Sequence, residues 1–208
     1  EAARKAAECT DPVRKAELET MAANLHWIAE NPVQTYWQAC QAALSYQLFV
    51  QLESRYPASS FGRFDQYTYP YLKKDLEEGS ITPEFAQELT DSFFLKSNCF
   101  YSAAEGNLMK TTGVGNTYQH TTIGGVDPAT GLDATNDVTY MVLQSLARLS
   151  LHDPTISLRV NKNTPDKLWE MALQANCIVG GLPLIQNDEV IIPAAMKHLG
   201  FELYDARN

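Results

Sequence analysis

Apolar residues recur with a helical period through most of the first half of the chain. Leu18, Met21, Leu25 and Ile28 fall on one helical face, and Asp11-Pro12 ahead of them offers an N-cap with proline at the first helical position. The pattern predicts helix over residues 1–31, stopped at Asn31-Pro32 because the residue before a proline is driven out of the α region. A second helix is predicted from about Gln34 to Arg55, with Trp37, Cys40, Leu44, Leu48 and Leu52 as its stripe. Tyr36, Tyr46, Phe49 and Val50 leave it little polar face, so burial on more than one side is expected. Tyr56 to Gly62 reads as a loop. A helix dense in aromatics follows and closes at Glu78-Gly79, and Thr82-Pro83 opens another with Phe85, Leu89 and Phe93 inward. Arg63 and Asp65, set among those aromatics, are expected to pair or hydrogen-bond and to anchor the loop before them.

The period changes in the second half. Residues 99–116 hold no period and three glycines, Gly106, Gly113 and Gly115, which reads as a long loop. From Gly115 to Gly125 the chain is β-rich, with Tyr118, His120 and three threonines beside a double glycine. That is poor core material and suits a wall facing something polar. Strand alternation places Tyr118 and His120 on one face and Gln119 and Thr121 on the other. Asn136 or Asp137 caps a helix with Val138, Met141, Val142, Ser145, Leu146 and Leu149 inward, ended by Asp153-Pro154. Thr155–Val160 alternates with period two, a strand. Asn163-Thr164-Pro165-Asp166 starts a helix with Leu168, Trp169, Ala172, Leu173 and Cys177 inward. Gly180 to Asp188 is a short extended piece, a helix runs from about Glu189 to Gly200, and Phe201–Asp205 is expected as a strand. Residues 1–115 therefore read as mainly helical and 116–208 as alternating strand and helix, an α/β arrangement with no linker dividing it into independent domains.

Composition narrows the partners. A hydrophobic content of 45% supports a sizeable core, and a net charge of −9 disfavours nucleic acid and anionic membrane surfaces. No apolar run approaches the roughly 20 residues needed to span a bilayer, and no export signal is read at the start. Cys9, Cys40, Cys99 and Cys177 form no CxxC pair and no zinc spacing, so no metal is expected and each thiol is expected to be buried or half-buried. His26, His152 and His198 read as structural or solvated. His120 reads either as substrate-facing or as a core histidine bonded to backbone. A hydrolase built on it lacks a nucleophile or acid partner in the sequence.

Several runs together resemble the glycyl radical enzymes, the family of pyruvate formate-lyase and related dehydratases, decarboxylases and C–C lyases. Gly62-Arg63-Phe64-Asp65-Gln66-Tyr67-Thr68-Tyr69-Pro70-Tyr71 is similar to the family's GRFDQY-x-YPY segment. Gly124-Gly125-Val126-Asp127 with Asp133-Ala134-Thr135-Asn136 resembles its GG-x-D and DATN region. Pro154 to Val160 resembles its P-S-L-S-V-R strand, and Asn187-Asp188 to Pro193 its ND helix start. The matches span the chain in the family's order.

The resemblance implies part of an α/β barrel, a half-barrel surrounded by helices. It implies a fragment of a radical lyase that cleaves a C–C, C–O or C–S bond of a small organic substrate, of formate acetyltransferase or dehydratase type. In the family a reacting cysteine follows shortly after a segment like Leu203–Asn208, and a radical glycine lies further on. None of the four cysteines matches that context, so no catalytic residue is assigned. The implied substrate-facing residues are Tyr118, His120, Ser59 and Ser60. The dehydratase branch carries a His-Ser pair where this chain has Pro57 and Ala58. No bound cofactor is implied. A radical-SAM activating enzyme with an iron–sulfur cluster would install the radical in the parent, expected to be a cytoplasmic homodimer. The alternative is a non-catalytic helical α/β binding or scaffold module.

Overall fold

The structure, a computed structural model, describes residues 1–54, 59–99, 119–151 and 153–208. Helices α1 (Ala2–Glu8), α2 (Pro12–Ile28) and α3 (Tyr36–Ser54) lead into strand β1 (Ser60–Arg63), followed by α4 (Phe64–Glu77) and α5 (Pro83–Ser97). Then come β2 (His120–Gly124), α6 (Asp137–Leu149), β3 (Thr155–Val160), α7 (Asp166–Val179) and β4 (Leu184–Asn187). Helix α8 (Asp188–Ala194) runs into a π-helical turn (Ala195–Leu199), and α9 (Leu203–Arg207) follows. The strands form one four-stranded, all-parallel sheet in the order β1-β2-β3-β4, so the fold is α/β with helices flanking the sheet.

Helix ends follow local chemistry. Asp11 accepts from Val13 N at 2.9 Å, Thr82 from Phe85 N at 3.2 Å, and Asn136 shares a capping box with Thr139. Because Asp11 starts a new helix, the single helix expected over 1–31 is two, with Cys9 extended between them at ψ 127°.

One face of the sheet carries Phe61, Thr121, Ile123, Ile156, Leu158 and Val160, all buried against α4–α7. At the centre Phe64 stacks on Phe93, with ring centroids 4.4 Å apart, and Phe61 and Phe94 meet Phe93 edge-on.

Several expectations are corrected. Ser60–Arg63 is a strand rather than the end of a loop, short and broken in register between Ser60 and Gly62. α3 buries Tyr36, Ala39 and Cys40 against α2, α4 and α5, its main packing partners among the described residues, and leaves Tyr46, Phe49 and Leu52 open. β3 is covered on both faces. α7 turns Leu168, Ala172 and Ala175 inward, leaving Leu173 and Cys177 exposed, and Cys99 is exposed as well. Phe201–Asp205 is not a strand. Glu202 is extended and its carbonyl accepts Ala206 N at 2.9 Å, which opens α9 instead. His152 and the loop expected over 99–116, apart from Cys99, lie outside the described residues.

Candidate functional site

In a parallel ladder, paired residues project to the same face. His120 pairs with Ser60 and Thr155, Thr122 with Arg63 and Ser157, and Arg159 with Gln186. The face opposite the core therefore carries polar side chains on all four strands, with Leu184, paired with Ser157, as an apolar member on β4. Towards its carboxyl end it forms a crevice of about 530 Å³, lined among others by Arg63, Gln66, Tyr67, Thr122, Arg159 and Gln186. Ligands of parallel α/β sheets sit at the carboxyl ends of the strands, where loops converge.

The runs that are far apart in sequence meet there. Asp65, fully buried, accepts Gly124 N at 2.7 Å and the Thr139 hydroxyl at 2.6 Å. Arg63 donates to the carbonyls of Gly124 at 2.8 Å, Val126 at 3.0 Å and Arg207 at 3.1 Å. The two residues thus bond main-chain groups around the double glycine rather than each other, and they brace β2 rather than the loop preceding them. Gln66 donates to the Ala134 carbonyl at 3.0 Å, and Asn136 to the Asp65 carbonyl at 3.3 Å. Ala134 N closes on the Gly125 carbonyl at 2.9 Å.

The double glycine is required by this crowding. Gly124 has φ +70°, and a Cβ there would lie 2.7 Å from the Arg159 carbonyl oxygen. Gly125 has φ +84°, and its Cβ would lie 3.0 Å from both Arg159 Cβ and Asp188 Oδ2.

From the far side, Arg159 donates to Asp188 Oδ1 at 2.6 Å and to the Asn208 carbonyl at 3.1 Å, while Asp188 Oδ2 accepts Val126 N at 3.0 Å. Asn161 donates to Asp133 Oδ2 at 2.8 Å. Burial raises the Asp65 carboxyl to about 6, against the opposing effect of its hydrogen bonds and of Arg63. Burial first, and then the neighbouring charge of Arg159, lowers the Arg63 guanidinium.

The residues singled out as substrate-facing separate in the structure. His120 is half-buried on the polar face, two positions before Thr122, and burial lowers its imidazole. Ser60 lies beside it and donates to the His120 carbonyl at 3.0 Å while accepting Gly62 N at 3.0 Å. Ser59 turns to α3, donating to Gln47 Oε1 at 3.1 Å. Tyr118, Pro57 and Ala58 lie outside the described residues. Arg159 and Asp188 lie in the runs that resemble the family's strand and helix start, but sequence reasoning gives no role to them or to Asn161 and Gln186. For Arg159 and Gln186 the available signal is a charge or amide near the carboxyl end of a short strand.

A family model described as pyruvate formate lyase-like matches residues 1–208. The chain belongs to this family of glycyl radical enzymes. It is 39% identical over 200 residues to the isethionate sulfite-lyase of Oleidesulfovibrio alaskensis, covering 92% of this chain and 23% of that protein. Among solved structures, that of 1,2-propanediol dehydration in Roseburia inulinivorans matches with a TM-score of 0.93 at 36% identity, over 100% of this chain and 26% of that one. The glycerol-bound B12-independent glycerol dehydratase of Clostridium butyricum matches with a TM-score of 0.90 at 35% identity, over 99% and 26%. The chain spans about a quarter of the length of these family members.

Proposed function

We propose that this chain forms one wall of the substrate chamber in a glycyl radical lyase that cleaves a C–O, C–C or C–S bond of a small organic substrate. The supporting observation is convergence. The GRFDQ, GGV, DATN, LRVN and ND runs build one hydrogen-bonded cluster around the crevice at the carboxyl end of the sheet. The relatives named as a sulfite-lyase and a dehydratase support this reaction class. Tyr118, His120 and Ser60 are the proposed substrate-facing set, with His120 and Ser60 at the amino end of the polar face; Ser59, held against α3 by Gln47, is not carried forward. The radical glycine and reacting cysteine belong to other parts of the intact protein. A radical-SAM activating enzyme is its partner, and the protein works as a cytoplasmic homodimer.

The test is anoxic incubation of the intact protein with its activating enzyme. The expected result is the electron paramagnetic resonance doublet of a glycyl radical, with turnover of 1,2-propanediol, glycerol or isethionate. Absence of a glycyl radical under conditions that charge a control enzyme overturns the proposal.

A further inference from the structure

Helix α9 is five residues long, exposes Leu203 at 42% and Tyr204 at 57%, and buries only Ala206. Apolar packing therefore gives it little hold on the sheet. Hydrogen bonds from arginine side chains to its main-chain carbonyls supply the hold. Arg63 Nη1 donates to the Arg207 carbonyl at 3.1 Å, and Arg159 Nη1 donates to the Asn208 carbonyl at 3.1 Å.

Each guanidinium is fixed at its other edge, Arg63 by the Gly124 and Val126 carbonyls and Arg159 by Asp188. Arg207 itself donates to the Pro128 carbonyl at 3.3 Å and lies against Gly131, where a Cβ would come within 2.6 Å of Arg207 Nη2. Two like charges on β1 and β3 are thus held close enough for one to depress the other, and both reach successive peptide units. A planar guanidinium fork sets the direction of its acceptors as well as their position.

We infer that Arg63 and Arg159 are positioning residues that fix the main chain at Arg207–Asn208 and so set the course of whatever follows it in the intact enzyme. This rests on the proposed function, in which the reacting cysteine comes shortly after this point. A displacement of about 1 Å at a reacting centre lowers rates by up to about a hundredfold.

Arg63→Lys and Arg159→Lys in the intact, activated enzyme test this. Lysine keeps the buried charge and loses the fork. Glycyl radical yield is expected to match wild type, while kcat falls about ten- to a hundredfold with KM within about twofold. Wild-type kcat in both variants at full radical yield overturns the inference and leaves the proposed function standing. A wild-type enzyme that forms no glycyl radical overturns the proposed function instead.

Limited trypsin digestion of the wild-type protein is independent of the radical and of whether the variants fold. The Arg207–Asn208 bond is expected to outlast the bond after Lys162, which sits in an exposed turn. Equal cleavage rates at the two bonds overturn the inference.

Discussion

Asp65 and Gly124 are joined by a hydrogen bond of 2.7 Å across 59 positions of sequence, with the carboxyl group fully buried. Arg63, two residues earlier, takes the carbonyl of the same glycine at 2.8 Å. One short run at the β1–α4 junction therefore grips both peptide units of a glycine on the neighbouring strand. The carboxyl end of β2 is positioned by β1 as much as by its own ladder.

This grip carries a pH dependence. Burial raises the Asp65 carboxyl from its ordinary 3.8 to about 6. Between those values the folded protein binds more protons than the unfolded chain, so stability falls as pH rises. The contribution is full below 3.8 and lost as pH passes about 6. Relative to an Asp65→Asn variant, wild type should gain up to about 3 kcal/mol as pH is lowered from about 7 to about 4. Calorimetric melting of both proteins across a pH series measures it. A constant difference between them would show a carboxyl titrating in the ordinary range.

Glycines at positive φ differ sharply in what surrounds them. Gly79 has φ +68° with nothing within 4 Å of an added Cβ, whereas Gly124 at φ +70° meets a main-chain carbonyl at 2.7 Å. Gly79→Ala should cost only the left-handed backbone penalty, about 1 kcal/mol. Gly124→Ala adds a clash with backbone that cannot rotate away, and roughly 3 kcal/mol or more is expected. Thermal midpoints of the two variants give the comparison, and equal losses would contradict the crowding at Gly124.

The Arg159–Asp188 pair, 8% and 1% exposed at the side chains, is screened little by salt. Removing one partner strands a buried charge, so Arg159→Met or Asp188→Leu alone should cost about 3–5 kcal/mol. The double variant should cost less than either single one. A double-mutant cycle at low and high salt decides this, and additive losses would mean that the two side chains act separately.

Most helices were legible because caps and apolar periods are local signals. Asp11, Thr82 and Asn136 mark their helix starts without help from tertiary contacts. β1 was not legible, because four residues containing Gly62 at φ +66° and a register break give too few alternations to count. α9 failed for a related reason. Apolar residues at 201, 203 and 204 fit a strand or a helix turn equally, and the bonds from Ala206 N to the Glu202 carbonyl and from Asn208 N to the Tyr204 carbonyl separate them. At the site, the family runs named Arg63, Asp65 and the double glycine. Their partners lie 59 to 144 positions away, beyond any periodic signal.

His120 shares the polar face with Thr122, and burial lowers its imidazole, favouring the neutral form. If it faces substrate, His120→Ala in the intact enzyme should lower kcat/KM roughly tenfold while leaving the glycyl radical yield unchanged. An unaltered kcat/KM would assign His120 to the wall's structure alone.

The outer face of α3 tests how the chain sits in its parent. Tyr46, Phe49 and Leu52 are 71%, 67% and 68% exposed, spaced to make one apolar stripe. The chain covers about a quarter of its relatives' length, and the stripe is a surface that the remainder can cover. The 208-residue chain alone should then bind a hydrophobic dye and self-associate, and Phe49→Ser with Leu52→Ser should reduce both without lowering its thermal midpoint. In the intact protein the same pair should destabilise, by about 2 kcal/mol or more per residue, because there the two side chains are buried. The contrast between the two backgrounds is the readout. A 208-residue chain that stays monomeric, ignores the dye and melts in one sharp transition would instead favour a self-sufficient scaffold module.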